Sequence, residues 1–205
     1  MRKICSTFNA TDGKISYSTE ASTGSGNNRS VTVSLFGVTK LDEYRDEEFV
    51  TSRAALMYFK SMTPEATAKY DEVRVSVVNG DETFSKAYLI PDLRDMALAS
   101  DVSKRYMDGV VERRYEGVQP LVDVRYMPDS LMVAFHKGYA RMDSANGRFV
   151  LNEQVGCKVL VAEQDTVRLP AVVVYTDAMT TDSTLYKFEM YVNRQNMRIA
   201  GIFVK

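Results

Sequence analysis

The stretch Tyr186-Lys187-Phe188-Glu189-Met190-Tyr191-Val192, with the turn Asn193-Arg194-Gln195-Asn196 and the return Met197-Arg198-Ile199-Ala200-Gly201-Ile202-Phe203, decides the fold. Tyr186, Phe188, Met190 and Val192 alternate with Lys187 and Glu189, and Met197, Ile199 and Phe203 flank Arg198 in the same way. A period of two is the mark of a half-buried strand. The pattern extends upstream. Val155, Cys157, Val159 and Val161 share one face opposite Gln154 and Lys158. Val172, Val173 and Val174 are apolar on both faces, which predicts a central strand. Turns fall at Gln164-Asp165, Thr181-Asp182 and Asn193–Asn196. Everything after Gly147 therefore reads as a four-strand antiparallel meander.

Helices precede it. Pro128-Asp129 opens one whose Leu131, Phe135, Tyr139 and Met142 fall on one face, and Asn146-Gly147 ends it. Another starts after the capping types Ser100-Asp101. Val102, Tyr106 and Val110 share one face of it, Met107, Val111 and Val118 another, and Gly117 and Pro120 close it. Its polar side interleaves Lys104, Arg105, Arg113 and Arg114 with Asp101, Asp108, Glu112 and Glu116. Mixed charge at that spacing is a solvated face with i, i+4 pairs. Leu121–Tyr126 alternates like a strand but is short, so helix and strand both stay open.

The N-terminal part reads as a small antiparallel sheet with one helix. Ile15, Tyr17 and Thr19, then Val31, Val33 and Leu35, flank the Gly24-Ser25-Gly26-Asn27-Asn28 loop. That loop lacks the third glycine and the following helix of a phosphate-binding loop. Asp46, Glu47 and Glu48 start a helix bearing Val50, Ala54, Met57 and Tyr58. Val73, Val75 and Val77 form the next strand, Asn79-Gly80 turns it, and Phe84, Lys86, Tyr88 and Ile90 return. Pro91 stops that ladder for want of an N–H, and Pro91–Ser100 is the expected boundary between residues 1–92 and 99–205. A competing ferredoxin-like order over residues 30–127 needs Leu121–Tyr126 as a strand.

The chain has 205 residues, with 26 Lys plus Arg against 27 Asp plus Glu, a formal net charge of −1. At 45% hydrophobic and 26% charged, it is neither a disordered chain nor a generally basic nucleic-acid binder. Cys5 and Cys157 form no CxxC, and one histidine, His136, makes no multi-His site, so no metal or cofactor is implied. No apolar run reaches the roughly 18 residues of a membrane helix. Taken from Met1 the protein reads as cytoplasmic. With an export signal removed it would be an envelope protein.

Residues 99–205 resemble the nuclear-transport-factor-2-like superfamily, which includes ketosteroid isomerase-type and SnoaL-type proteins. The resemblance rests on the helix from Val102, the Pro128-Asp129-Ser130-Leu131 helix, the Asn146-Gly147-Arg148-Phe149 lead-in and the closing hairpin quoted above. Met197 stands where many members carry Trp. The resemblance implies a cone: a curved sheet wrapped around a helix, with a ligand pocket at the open end. Such a pocket would draw on His136, Tyr139, Tyr175, Asp177 and Tyr186, with Glu189 a further inward carboxylate. A buried carboxylate raised by desolvation, with Tyr or His136 as donor, would serve an isomerase-type reaction. No recognisable catalytic constellation is present, so the leading expectation is a non-catalytic binding protein for a small molecule or a protein partner, with room for a homodimer. An envelope or immunity-type interaction module is the third reading.

Overall fold

The computed structural model describes residues 1–22, 26–38, 47–164 and 167–205. The loop tip at Gly24-Ser25, the acidic Asp46 and the turn residue Asp165 lie outside them. The fold is α+β, with two four-stranded sheets. The chain divides into two units, Met1–Ala97 and Leu98–Lys205. Among the described residues no helix is long and apolar enough to cross a membrane.

The first unit holds α1 (Arg2–Phe8), β1 (Asp12–Ser22), β2 (Gly26–Phe36), α2 (Glu47–Ser61), the short α3 (Pro64–Thr67), β3 (Glu72–Asn79) and β4 (Glu82–Leu89). The sheet order is β1-β2-β3-β4. It is not purely antiparallel, because β2 pairs parallel with β3. The cause is the connection. A hairpin reverses the chain, whereas the strand–helix–strand passage through α2 returns it to the same end of the sheet. In-register rows set Val31 beside Val73, Val33 beside Val75 and Leu35 beside Val77, all buried. Each such side chain stabilises the fold by about 1.5–3 kcal/mol.

Helix α2 packs on β2, β3 and β4. Its buried side is Val50, Thr51, Ala54 and Ala55, while Met57 and Tyr58 lie half-buried at its edge. Thr51 and Tyr88 hydroxyls meet at 2.7 Å and tie the helix to β4. Helix α1 was not legible in the basic N-terminal run, yet it buries Ile4 and Phe8. The Asn79-Gly80 turn forms, with Gly80 at φ 62°, the left-handed region a Cβ disfavours.

Pro91 does not end a structural element. It sits in the first turn of α4 (Ile90–Val111), where its missing N–H costs nothing, so the helix runs unbroken through the expected boundary. Ser100 and Asp101 are interior helix residues, not caps. The division between the units falls within this helix.

The second unit continues with α5 (Tyr115–Val118), a 3-10 turn at Gln119–Leu121, α6 (Asp129–Asn146), and β5 (Phe149–Gln164), β6 (Val167–Thr180), β7 (Leu185–Asn193) and β8 (Arg198–Val204). The strands form an antiparallel meander in chain order, with β6 paired on both sides as its valines predict. Leu121–Tyr126 is neither helix nor a regular strand. Val122 makes a single parallel bridge to Ile199, and turns follow. The ferredoxin-like order therefore fails: residues 121–126 add no strand to the first sheet, and β2 neighbours β3 directly.

Bulges set the faces of this sheet. Register slips at Val150 and Val155 in β5, and one at Ala200 opposite the Tyr191–Val192 step, each add one unpaired residue. The last one breaks the expected alternation. Ile199 and Ile202 are buried, whereas Phe203 is 57% exposed. Paired rows Cys157–Val174–Met190–Ile202 and Thr176–Phe188 line the inner face. Helices α4 and α6 face it through Ser100–Gln154 and Tyr139–Phe188. Tyr106, Met107, Met127, Tyr139, Phe188 and Met190 fill this interior and are fully buried.

Candidate functional site

The site begins where α4 stops. The helix expected to reach Gly117 ends at Val111, because Arg113 adopts φ 57°. The Arg113 N–H donates to Val110 O and the Arg114 N–H to Gly109 O, closing the last turn. That position normally suits glycine or asparagine. Arginine holds it here with its Nε donating to Asp143 Oδ2 of α6 at 2.8 Å. The short α5 then folds back against α4. A Cβ on Gly109 would collide with Val118 Cγ1, so this glycine is what allows the approach.

Between the end of α4, α5 and α6 lies a cleft of about 870 Å³. Its walls include Arg105, Gly117, Leu121, Tyr115 and His136. The Tyr115 ring stacks on His136 with centroids 4.8 Å apart and planes 22° from parallel. His136 Nε2 is buried and, among the described residues, has no hydrogen-bond partner. Burial pulls the imidazole below its ordinary pKa, so it is neutral at pH 7. Burial and the charge of Asp143 raise the Tyr115 phenol. Behind this ledge, the Tyr106 and Tyr139 hydroxyls meet at 3.2 Å, and burial pushes Tyr106 up to about 12. Ser103 Oγ and Thr176 Oγ1 are also buried without partners among the described residues.

A second polar centre has the opposite character. Asp123 is buried, and its carboxylate accepts from Arg125 Nε at 2.9 Å, Arg125 Nη2 at 2.8 Å, Asn193 Nδ2 at 3.2 Å and Asn196 Nδ2 at 2.7 Å. The Asp123 N–H donates to Ile199 O at 2.8 Å. The Arg125 guanidinium, with those amides, holds the carboxyl far below the usual carboxylate range. Every lone pair in reach is used, so this centre fixes the 122–127 turn against the β7–β8 turn.

The five residues named from the sequence do not converge. His136 walls the cleft, and Tyr139 lies behind it in the core. Tyr186 is on the inner face near the end of α6, where Asn146 Nδ2 donates to its hydroxyl. Tyr175 and Asp177 alternate with the inward Val174, Thr176 and Ala178 and so occupy the opposite face. Glu189 pairs with Tyr175 across the strands on that same face and binds Lys205. The cause is the period of two, which sends residues an odd number apart to opposite sides. Cys5 and Cys157 are free thiols. Among the described residues no cluster of three His, Cys, Asp or Glu could hold a metal.

No family model, curated protein or solved structure matches this chain. The site must be read from its own chemistry. Tyr115 and the Asp123 centre were missed at the sequence level. The one available signal was the charge-dense Glu112-Arg113-Arg114 run just before Tyr115, which carries no glycine or proline to announce a helix end.

Proposed function

We propose that this protein is a binding protein whose second unit forms a nuclear-transport-factor-2-like cone and takes a small ligand in the α4–α5–α6 cleft. The order of long helix, second helix and four-strand meander supports the cone. The interior is occupied by aromatic and methionine side chains, which favours the cleft over the interior as the ligand's place. The observation that carries the reading is His136 Nε2, buried under Tyr115 at the wall of the cleft without a partner among the described residues. An unpartnered buried polar nitrogen costs about 1–3 kcal/mol, a cost that a ligand able to reach it would relieve. The cleft's volume falls in the range of about 300–1,000 Å³ typical of small-molecule sites.

The test is a fragment titration of the full chain followed by amide and aromatic NMR shifts. Fragments should move Tyr115, Gly117 and His136 together. Fragments that move other regions and leave these three unmoved would refute the reading.

A further inference from the structure

The charges around the cleft narrow the ligand. Three arginines line it, which at first suggests a simple anion. Two of them are already neutralised: Arg113 by Asp143 at 2.8 Å, and Arg114 by Glu112. Asp108, the lining acid on α4, is held by Lys104 at 2.6 Å and also accepts from Asn152. One cation and one anion remain. Arg105 on α4 and Glu116 on α5 both line the cleft, and among the described residues neither side chain makes a hydrogen bond or an ion pair. A plain anion would gain Arg105 and meet Glu116 as a like charge. A plain cation would meet the converse. The same cleft is lined by Tyr115 stacked on His136, a surface for an apolar ring.

We infer that the cleft binds a small zwitterion with a planar apolar body, of which an aromatic α-amino acid is the simplest form. Its carboxylate would pair with the Arg105 guanidinium, its ammonium with the Glu116 carboxylate, and its ring would lie on Tyr115. The fork of an arginine suits a carboxylate, and charge-assisted bonds to both ends give the pair its selectivity. This inference rests on the cleft reading above and deepens it by naming the ligand class.

Three probes separate the possibilities: L-phenylalanine, N-acetyl-L-phenylalanine, which lacks the ammonium, and phenethylamine, which lacks the carboxylate. Each is titrated into the full chain while the Tyr115, Gly117 and His136 resonances are followed. L-phenylalanine should bind about tenfold or more tightly than either blocked probe. Arg105→Gln should weaken L-phenylalanine and the acetylated probe and spare phenethylamine. Glu116→Gln should weaken L-phenylalanine and phenethylamine and spare the acetylated probe. Both side chains are exposed, and far-ultraviolet circular dichroism checks that the variants fold. Equal binding of L-phenylalanine and its acetylated form, unchanged by Glu116→Gln, overturns the zwitterion and leaves the cleft as a binding site. Neutral fragments shifting Tyr115 and His136 while all three probes fail has the same meaning. Failure of probes and fragments alike overturns both inferences.

Discussion

Asp123 and His136 lie in the same unit and are buried in opposite ways. Asp123 is saturated: two arginine nitrogens and two asparagine amides converge on its oxygens. His136 is left with a buried nitrogen that no described residue satisfies. A saturated buried charge holds a turn in place and has no capacity left for a ligand. An unsaturated neutral group beside a cleft is tolerated at a cost in stability and keeps its bonding capacity free. The difference separates a saturated structural centre from one with bonding capacity to spare, without reference to any relative.

The sharpest way to break the comparison is Asp123→Ala. Removing the buried carboxylate strands the Asn193 and Asn196 amides, while the exposed Arg125 turns to solvent, so unfolding stability should fall by about 3 kcal/mol, read from the urea midpoint. The same residue sets an acid limit. Its folded pKa lies below the unfolded value of about 3.9, so its contribution is complete above that value. The contribution is lost as pH falls toward the lower folded value. Wild type should lose stability steeply below about pH 4, and Asp123→Ala should show a shallower acid slope.

Gly109→Ala comes next. The added methyl meets Val118 and pushes α5 outward, which should cost about 1–3 kcal/mol and weaken any ligand of the cleft. His136→Phe should do the reverse of Asp123→Ala. It removes an unpaired buried nitrogen and keeps a ring on Tyr115, so stability should stay within about 1 kcal/mol of wild type or rise. Because burial lowers the His136 pKa, the wild-type protein should also lose a little stability as pH falls through about 6.5, and His136→Phe should abolish that slope. The smallest effect belongs to the exposed Lys104–Asp108 pair, where Lys104→Ala should cost about 0.3–0.5 kcal/mol, falling further in salt.

The sequence showed the parts governed by local repetition. Phe188, Met190 and Val192 point inward as their alternation predicts, as do Val73, Val75 and Val77, and Asn79-Gly80 turns where its backbone preference places it. The misreadings share a cause. The bulge at Ala200 shifts the alternation by one residue with no change in composition. The left-handed Arg113 ends a helix at a residue type that usually continues one, because Asp143 on another helix holds its side chain. The parallel β2–β3 pairing depends on where the connection through α2 returns. The Asp123 centre joins residues about seventy positions apart, so no window along the chain contains it. The cleft was half legible: His136 stood out as the one histidine, but its partner Tyr115 did not.

The turn held by Asp123 has an effect on how this molecule meets its own copies. Strand β8 is the outer strand of its sheet, and such a strand offers open backbone groups to any passing chain. At its start, Val122 bridges Ile199 and the Asp123 N–H occupies the Ile199 carbonyl. One end of the strand is thereby closed to templating. A chain that loses this clasp would expose the edge beside Ile199, and its first symptom at high concentration should be strand-to-strand clumping.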